Sequence, residues 1–258
     1  MTAQNKHLGQ NWLHSREVLA KIADYAEISK NETVLEIGPG LGTLTSELLK
    51  RARAVVAVEF DDELARKLPA QFPGKNLEVI SEDILKFDLS DMSPGYKVVA
   101  NIPYYITNKI IQILMTAKNK PKTTVLLVQK EVAQRLAAKP GKMSILSISA
   151  QVFAEVTLGD IVPAELFTPV PKVDSQIVIL RTRKTPLVTN ADEPNFFKVV
   201  KAGFSSKRKK LRSSLSGGLK LPKDEVEILM GKANIDPNER AEALSLPDWV
   251  RLTHIVAK

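Results

Sequence analysis

The sequence predicts an α/β protein with a doubly wound, mainly parallel sheet and a small helical domain at the C-terminal end. Short apolar, β-branched runs alternate with helical patterns through the first half of the chain, an order typical of parallel sheets. Two later segments alternate apolar and polar residues, as half-buried antiparallel strands do. The remainder of the chain, from about residue 195, has a helical pattern.

Five runs rich in valine, isoleucine and leucine are the predicted parallel strands. They cover residues 33–38, 54–60, 77–80, 98–102 and 123–129. Helices are predicted at 41–51, 61–71 and 107–118, with Asp61 and Thr107 as N-cap residues of the last two. The predicted antiparallel strands are 151–158 and 176–183. Parallel sheets bind ligands where their strands end, so functional side chains are expected there.

The length of 258 residues allows one large domain and a small second one. Around residues 184–194 the sequence turns polar and loses its periodicity, which indicates a domain boundary. We therefore predict a ligand-binding domain at residues 1–188 and a small, helical, basic domain at residues 189–258.

The composition excludes several classes of site. Cysteine is absent, which excludes disulfides, thiolate nucleophiles and cysteine-ligated zinc or iron–sulfur centres. The three histidines are scattered, so no metal site is predicted. The N-terminus lacks the pattern of a secretory signal, and no apolar run is long enough to span a bilayer. These features predict a soluble, cytoplasmic protein without a membrane partner.

The formal net charge of +8 comes from one short segment. Residues 201–223 contain eight lysines and arginines and no acidic residue, and basic and acidic residues are equal in number elsewhere. Phe204, Leu211 and Leu215 interleave with these charges at nearly helical spacing. We interpret the segment as a helix that packs by its apolar side and presents cations to a polyanion such as RNA. The simpler alternative is a solvated helix face.

The segment "VLEIGPGLGTLT" runs from a predicted strand through a glycine-rich turn into a helix. Gly38, Gly40 and Gly42 would let the backbone turn tightly and approach a ligand closely. The next strand, "AVVAVEF", ends in Glu59, 21 residues after Gly38, where a carboxylate can accept hydrogen bonds from both hydroxyls of a ribose. Together these features predict an adenosine-type ligand. Each feature alone also has a purely structural explanation. The glycine-rich turn could serve only for packing, and Glu59 could be a solvated residue at the end of a strand.

The form of the loop narrows the choice of ligand. It reads G-P-G-L-G rather than GxGxxG, and no lysine, arginine or serine follows to hold a phosphate. A ligand with an amino acid in place of phosphates agrees better with this loop, which favours S-adenosylmethionine. The third strand end, "ISEDIL", places Asp83 where its carboxylate can accept from an adenine amino group. The alternative for Asp83 is a helix N-cap or a solvated turn.

The fourth strand ends in Asn101-Ile102-Pro103-Tyr104. An adenine amine is a poor nucleophile because its lone pair is delocalised into the ring, so it has to be held and rehybridised. The side-chain carbonyl of Asn101 and the backbone carbonyl of Ile102 can accept from its two N–H bonds. Pro103 stiffens the loop, and Tyr104 can stack on the base. The alternative is an ordinary βα turn with packed tyrosines.

Segments along nearly the whole chain resemble the ribosomal-RNA adenine N6-dimethyltransferases. They are, in order, "LGQNWL", "EIGPGLGTLT", "NIPYYITNKI", "FTPVPKVDS", "AGFSSKRKKLRSSL" and "RAEALSLPDW". The third segment and the complete basic segment (residues 201–223), called the basic tail below, look like the small-subunit (16S-type) branch of this family. The resemblance implies a Rossmann-like class I SAM-dependent methyltransferase fold, with a catalytic SAM-binding domain at 1–188 and an RNA-binding domain at 189–258.

The resemblance also implies roles for the cofactor-binding residues. Asn11 and Leu13 would help close over the cofactor. Gly38 would contact its methionine part, Glu59 its ribose and Asp83 its adenine. Trp12 departs from the phenylalanine usual in the family, which keeps an aromatic side chain but changes its volume.

For the target base and the RNA, the resemblance implies a second set of residues. Asn101 would line both the cofactor and the target amine, and Tyr104 would stack on the target base. Phe167, which without the resemblance would be interpreted as a core residue, would pack against that base from the other side. Tyr105 is a variant common in the family and would form part of the pocket wall. The RNA-binding residues would be Lys207, Arg208, Lys209, Lys210 and Arg212.

The predicted function is SAM-dependent dimethylation of two adjacent adenosines near the 3′ end of small-subunit rRNA, by a monomer acting on the assembling 30S-type subunit. The first alternative is large-subunit (23S) adenine methylation of the antibiotic-resistance type, against which the basic tail and the "FTPVPKVDS" segment argue. The second is a non-catalytic assembly factor for the small subunit, against which the intact Glu59, Asp83 and Asn101 argue. A nicotinamide dehydrogenase is disfavoured by the G-P-G-L-G loop.

Overall fold

The computed structural model describes residues 11–189, 191–206 and 208–257. They form two compact units, of which the first contains residues 11–134 and 154–182 and the second residues 135–153 and the described residues from 183 to 257. The change of unit after residue 182 lies close to the predicted boundary at 188/189. The grouping of residues 135–153 with the C-terminal helices has no counterpart in the prediction.

The described strands all belong to the first unit. They are β1 (Trp12–Leu13), β2 (Thr33–Ile37), β3 (Ala54–Glu59), β4 (Leu77–Ser81), β5 (Lys97–Asn101), β6 (Thr123–Gln129), β7 (Ala154–Val162), β8 (Phe167–Thr168) and β9 (Ser175–Thr182). The helices of the first unit are α1 (Arg16–Tyr25), α2 (Thr43–Leu49), α3 (Asp62–Lys67) and α4 (Thr107–Thr116). A further helix, α5 (Lys130–Leu136), begins in the first unit and ends in the second.

Seven of these strands form one sheet in the order β4–β3–β2–β5–β6–β9–β7. The strands from β4 to β6 run parallel, and β9 pairs antiparallel with both β6 and β7. The order reverses between β2 and β5, which is the position where open α/β sheets bind their ligands. This topology confirms the predicted doubly wound α/β fold.

The burial of the strands explains their composition. Every residue of β2 is buried, and β6 is buried over all but its last residue, as expected for parallel strands covered by helices on both faces. Leu19 of α1 and Leu48 of α2 pack in one apolar cluster with Val34 and Val55. The apolar runs of the sequence are therefore the core of the first unit.

Three details of the predicted elements can be compared with the structure. Asp61 is the N-cap of α3, and its carboxylate accepts from the backbone N–H groups of Glu63 and Leu64, which confirms the prediction. Thr107 is the first residue of α4 rather than its N-cap, which is Ile106, and its hydroxyl donates back to the carbonyl of Pro103. The predicted strand 151–158 begins later, since residue 151 still ends a helix and β7 runs from 154 to 162.

The second unit is helical, as predicted for the C-terminal part of the chain. It contains α6 (Ile145–Gln151), α7 (Glu193–Gly203), α8 (Leu211–Leu219), α9 (Lys223–Lys232) and α10 (Leu246–Val256). Trp249 is fully buried, and its ring stacks on Phe204 with a centroid distance of 5.6 Å. A Cβ at Gly203 would lie 2.4 Å from the same indole ring, so only glycine leaves room for it.

The basic segment does not form the single helix that its spacing predicted. α7 ends at Gly203 and α8 begins at Leu211, and most of the consecutive cations lie in the connection between them. Phe204, Leu211 and Leu215 are nevertheless buried, so the apolar side of the segment packs as expected. In the part of the chain that the structure describes, no helix is both long and apolar enough to cross a membrane.

Candidate active site

A cavity of about 360 Å³ opens at the carboxyl ends of β2, β3 and β5. Most of the residues predicted to act on the cofactor or the target base line its wall. They are Asn11, Leu13, Gly38, Glu59, Asp83, Asn101 and Tyr104. Residues that are distant in the sequence thus meet at one strand edge, where the fold predicts a ligand.

The glycine loop forms one side of the cavity. Gly38 and Gly40 have φ values of +66° and +56°, a region that side chains with a Cβ rarely adopt. The N–H of Gly38 donates to the carbonyl of Val58 at 2.9 Å, which fixes the start of the loop. A Cβ at Gly38 would meet no atom within 4 Å, so open space adjoins the backbone for a ligand to approach.

Glu59 holds this loop in place. Its side chain is buried, with one oxygen accepting from the N–H of Gly40 at 3.0 Å and the other from the N–H of Asp61 at 3.0 Å. Burial raises the pKa of Glu59, while these backbone hydrogen bonds oppose the change. Each carboxylate oxygen has a further acceptor position, so the side chain can serve the loop and a ligand hydroxyl at the same time.

Asp83 stabilises a turn, which was the structural alternative for this residue, and it also lines the cavity. One oxygen accepts from the N–H of Leu85 at 3.0 Å and stabilises the turn after β4. The other has no hydrogen-bond partner among the described residues. Because Asp83 also lines the cavity, this second oxygen is available to accept from a bound ligand.

Asn101 is oriented by residues 11–14, which we call the N-terminal segment. Its side-chain nitrogen donates to the backbone carbonyl of Asn11 at 3.2 Å, which leaves the side-chain oxygen as the group that can accept. Tyr104 follows in the same loop, and its hydroxyl lies 2.8 Å from the hydroxyl of Ser175. Burial raises the pKa of Tyr104, so the phenol stays neutral. The contact with Ser175 holds the ring at one edge.

The N-terminal segment is itself held by the proline-rich loop at residues 163–171, which contains β8. β1 and β8 form a two-stranded antiparallel sheet in which Leu13 pairs with Phe167, and His14 donates from its N–H to the carbonyl of Leu166 at 3.1 Å. Leu13 and Phe167 are each 1% exposed. Phe167 therefore lies in the core behind Leu13 and is not among the residues that line the cavity, which differs from its predicted place against the target base.

Glu36 is a buried cavity residue that the sequence analysis missed. It is 1% exposed, and neither carboxylate oxygen has a hydrogen-bond partner of regular geometry among the described residues. Burial raises the pKa of Glu36 to about 8; the nearby Thr45 hydroxyl opposes this, and the charge of Glu59 adds to it. A glutamate inside the otherwise apolar strand TVLEI was the available signal, because an unpaired carboxylate is costly to bury.

Two exposed aromatic side chains lie at the mouth of the cavity. Phe60 is 60% exposed and Tyr105 is 64% exposed, and both line the wall. Tyr105 was predicted as part of the pocket wall. Phe60 was missed, although an aromatic residue directly after a carboxylate at a strand end is a readable signal. Large exposed aromatic surfaces at a cavity mouth are suited to stacking on a planar ligand.

The predicted RNA-binding residues lie in the second unit. Arg208, Lys209 and Lys210 are exposed, and the Lys210 ammonium donates to the side-chain oxygen of Asn238 at 2.7 Å. Arg212 forms an ion pair with Glu227, so its charge is partly compensated. Lys207 lies outside the described residues. Within the described ranges, no three acidic or histidine side chains converge as they would around a metal ion.

Known proteins with similar sequences indicate the family to which this chain belongs. The family model of ribosomal RNA adenine dimethylase matches residues 1–258. A ribosomal RNA small subunit methyltransferase A from Dehalococcoides mccartyi (strain CBDB1) is 43% identical over 96% of this chain and 86% of its own length. A protein of the same name from Bacillus mycoides (strain KBAB4) is 41% identical over 96% of this chain and 90% of its own length.

Solved structures show the same fold. The 23S rRNA methyltransferase ErmE superposes with a TM-score of 0.78 at 31% identity, over 96% of this chain and 100% of that one. A dimethyladenosine transferase from Plasmodium falciparum superposes with a TM-score of 0.80 at 29% identity, over 93% of this chain and 95% of that one. The predicted class I methyltransferase fold is confirmed. The chain belongs to the ribosomal RNA adenine dimethylase family, a family of methyltransferases, as its motifs indicated.

Proposed function

We propose that the protein transfers methyl groups from S-adenosylmethionine to the N6 amines of two adjacent adenosines near the 3′ end of small-subunit rRNA, during assembly of a 30S-type subunit. The observation that carries this proposal is the orientation of Asn101 at the end of β5. Its nitrogen is engaged by Asn11, which leaves an oxygen in the cavity that can accept from an adenine amine and has no proton to give to it.

The cavity offers complementary groups for the proposed cofactor. The open space at Gly38 suits the methionine part, Glu59 can accept from the ribose, and the second oxygen of Asp83 can accept from the adenine amino group. Asn11 and Leu13 would cover it from the N-terminal segment. When bound, this cofactor supplies an electrophilic methyl group on a positively charged sulfur.

The protein's own contribution to the reaction is orientation. In our proposal Asn101 and the backbone carbonyl of Ile102 accept from the two N–H bonds of the amine, which favours a pyramidal nitrogen and aims its lone pair along the line of displacement. Tyr104 stacks on the flipped base, a contact worth about 1–3 kcal/mol. The proton leaves the nitrogen after methyl transfer and passes to solvent, so no side-chain base is needed. Most of the acceleration then comes from proximity and alignment.

Phe167 supports this site in our proposal rather than touching the base. Its ring is buried and pairs with Leu13 across the β1–β8 ladder. By holding Leu13, it holds the segment that carries Asn11, whose carbonyl orients Asn101. The residue is thus a positioning residue for the cavity.

The second unit supplies the proposed RNA-binding surface. Arg208, Lys209 and Lys210 are exposed cations without an acidic neighbour in the sequence, which suits the phosphates of a folded RNA. Arg212 contributes less because Glu227 already pairs with it. We therefore propose that residues 1–188 carry out catalysis and that residues 189–258 bind the RNA.

We propose that the protein acts as a monomer in the cytoplasm, because its proposed substrate is an assembling ribosomal subunit. The competing function is methylation of large-subunit RNA. The superposition on ErmE agrees with the shared fold of both branches, whereas the two relatives that are 41–43% identical bear the small-subunit name. A purely structural assembly factor would not need the oriented Asn101.

The decisive experiment is methyl transfer from labelled S-adenosylmethionine to under-methylated small subunits and, separately, to large-subunit RNA, with the modified nucleosides identified by mass. Dimethyladenosine at two adjacent positions of the small-subunit RNA is the expected result. Label only in large-subunit RNA would assign the protein to the other branch. No label in either RNA, together with tight binding to small subunits, would favour an assembly factor.

A further inference from the structure

A second cleft of about 630 Å³ lies in the first unit, at the carboxyl end of β6 and the start of β9. We call it the polar cleft. The residues that line it are Gln129, Lys130, Glu131, Gln134, Ala164, Lys172, Val173 and Asp174. None of them belongs to the cavity described above, and none has been given a role in the proposed reaction.

The polar cleft lies next to the position proposed for the target base. Gln129 is two residues further along β6 than Leu127, which is the register partner of Asn101. Neighbouring strands are about 4.8 Å apart and each residue advances about 3.3 Å, so the cleft begins within roughly 10 Å of the Asn101 backbone. This distance is comparable with one step between neighbouring nucleotides of an extended RNA strand.

A direct contact between Tyr104 and Ser175 connects the wall of the cavity to the strand next to the polar cleft. The hydroxyl of Tyr104 lies 2.8 Å from that of Ser175. Ser175 is the register partner of Gln129 and directly follows Asp174 in the sequence. Gln129 and Asp174 both line the polar cleft. A base stacked on Tyr104 would therefore lie beside this cleft.

The charges of the polar cleft argue against a phosphate site. Lys130 and Lys172 are balanced by Glu131 and Asp174. A nearly neutral cleft lacks the excess of positive charge that phosphate recognition requires. Its ligand should instead be a neutral group that offers both hydrogen-bond donors and acceptors.

The uncommitted side chains of the cleft match the edge of a nucleobase. The side-chain amides of Gln129 and Gln134 make no hydrogen bond within the described residues, and a glutamine amide can bind the N6 and N7 atoms of adenine with two hydrogen bonds. Val173 is 46% exposed, and Val170 in the same loop is 65% exposed. These side chains offer an apolar surface to the face of a base.

We infer that the polar cleft binds the adenine that adjoins the target adenosine, with Gln129 and Gln134 reading its edge. This inference rests on the proposed function, which requires two adjacent adenosines to be modified at one site. While one adenosine lies in the cavity, the cleft holds the other. The cleft thereby makes the protein specific for a pair of adenosines rather than for a single flipped base.

The test compares small subunits that carry the two adenosines with subunits in which one of them is replaced by uridine. Transfer is measured at the remaining adenosine as kcat/KM, for the unaltered protein and for Gln129→Ala/Gln134→Ala. We expect the unaltered protein to lose about ten- to a hundredfold on the replaced subunits, the range for losing one doubly hydrogen-bonded base contact. The double variant should already show this loss on the normal subunits, with little further loss on the replaced ones.

A matched control is Gln71→Ala/Gln112→Ala, which removes two exposed glutamines that line neither cleft nor cavity. It should behave as the unaltered protein, and S-adenosylhomocysteine should bind all three proteins equally by calorimetry. A double variant that discriminates between the two subunits as strongly as the unaltered protein does would overturn the inference alone. If the unaltered protein modified no small subunit, the proposed function would fail first, and the inference with it.

Discussion

Asn101 connects the N-terminal segment to the proposed chemistry through a single amide. Replacing Asn101 by Ala removes both the acceptor for the amine and the hydrogen bond to Asn11. We expect kcat for methyl transfer to fall on the order of 10²–10³-fold, as for other single preorganised hydrogen-bonding groups. RNA affinity should change little, because the basic segment is unaltered. Single-turnover methylation and an RNA-binding assay measure the two effects separately, and wild-type turnover by the variant would contradict the role of Asn101.

Glu36 should make the stability of the ligand-free protein depend on pH. Its pKa is about 8 in the folded chain and 4.5 when solvated. Between these values the folded state keeps a proton that the unfolded state has lost, so stability falls as the pH rises from 4.5 to 8. Relative to Glu36→Gln, the unfolding free energy of the unaltered protein should decrease by about 3 kcal/mol between pH 5 and pH 8.

Denaturant titrations of both proteins at several pH values test this prediction. The difference between them should be largest at pH 8 and nearly constant below pH 4. A difference that does not change from pH 5 to pH 8 would show that the pKa of Glu36 is close to its ordinary value.

Single residues were predictable where their type carries chemistry at a strand end. Glu59, Asp83 and Asn101 were assigned from the residue and its place in the pattern, and all three line the cavity. Glu36 was overlooked because it lies inside a strand, beside three apolar residues, rather than at the strand end. The position of Phe167 depends on its pairing with Leu13, a contact between distant segments that no local pattern specifies.

At the level of the elements, a buried ion pair fixes the beginning of β5. Lys97 is 4% exposed, and its ammonium lies 2.9 Å from the carboxylate of Glu32, just before β2. Burial alone would raise the pKa of Glu32, but hydrogen bonds from Lys97, the Ser29 backbone and Lys122 outweigh it and lower the pKa to about 2. The pair therefore stabilises the fold above pH 4.5 and loses this effect as the pH falls towards 2.

Glu32→Gln should accordingly destabilise the protein by about 3 kcal/mol at pH 7, since it leaves Lys97 buried without its counter-charge. The difference should shrink when unfolding is measured at pH 3. Glu27→Gln is the matched control, because Glu27 pairs with Arg181 on the surface and such pairs contribute less than about 1 kcal/mol. Equal effects of the two substitutions would contradict the role of the buried pair.

The β1–β8 ladder makes a prediction about Phe167. Phe167→Leu keeps an apolar side chain in the core and should lower stability by about 1–2 kcal/mol. If the residue only supports Leu13, kcat/KM for methyl transfer should stay within a few-fold of the unaltered value. A loss of a hundredfold at unchanged cofactor affinity would support the direct contact with the target base that the family resemblance implied.

Elements were predictable in proportion to the strength of their periodicity. The parallel strands were assigned correctly to within a few residues because their apolar runs are nearly continuous. The helix α6 was missed and its last residue was assigned to a strand, since seven residues carry little periodicity. The apolar residues of the basic segment are buried as their spacing predicted. The segment is nevertheless not one helix, because α7 ends at Gly203 and α8 begins at Leu211.

For the whole molecule, the concentration of positive charge in one unit predicts how RNA affinity depends on salt. Reversing Arg208, Lys209 and Lys210 to Glu should weaken RNA binding and flatten the slope of log K against log salt by up to about 3 units, one for each phosphate contact. The control reverses Arg66, Lys75 and Lys86, which are exposed in the first unit and change the net charge equally. A salt slope that both triple variants share would contradict a localised RNA surface.

At this scale the fold class followed from the order of the elements, and the C-terminal boundary from the loss of periodicity. The grouping of residues 135–153 with the C-terminal helices could not be read from the sequence. It depends on contacts such as the hydrogen bonds from the N–H groups of Gly141 and Met143 to the carbonyl of Glu242. Pairings across about a hundred residues leave no local signature, because neither partner is unusual in its own segment.

The hydrogen bond between Asn101 and Asn11 has a kinetic consequence for the proposed enzyme. Any movement of the N-terminal segment away from the cavity would remove the partner that orients the Asn101 amide. The amide would then be free to rotate, and an adenine amine in the site would have no fixed acceptor. In the proposed enzyme, this segment therefore has to be in place at the moment of each methyl transfer, and again for every one of the four successive transfers.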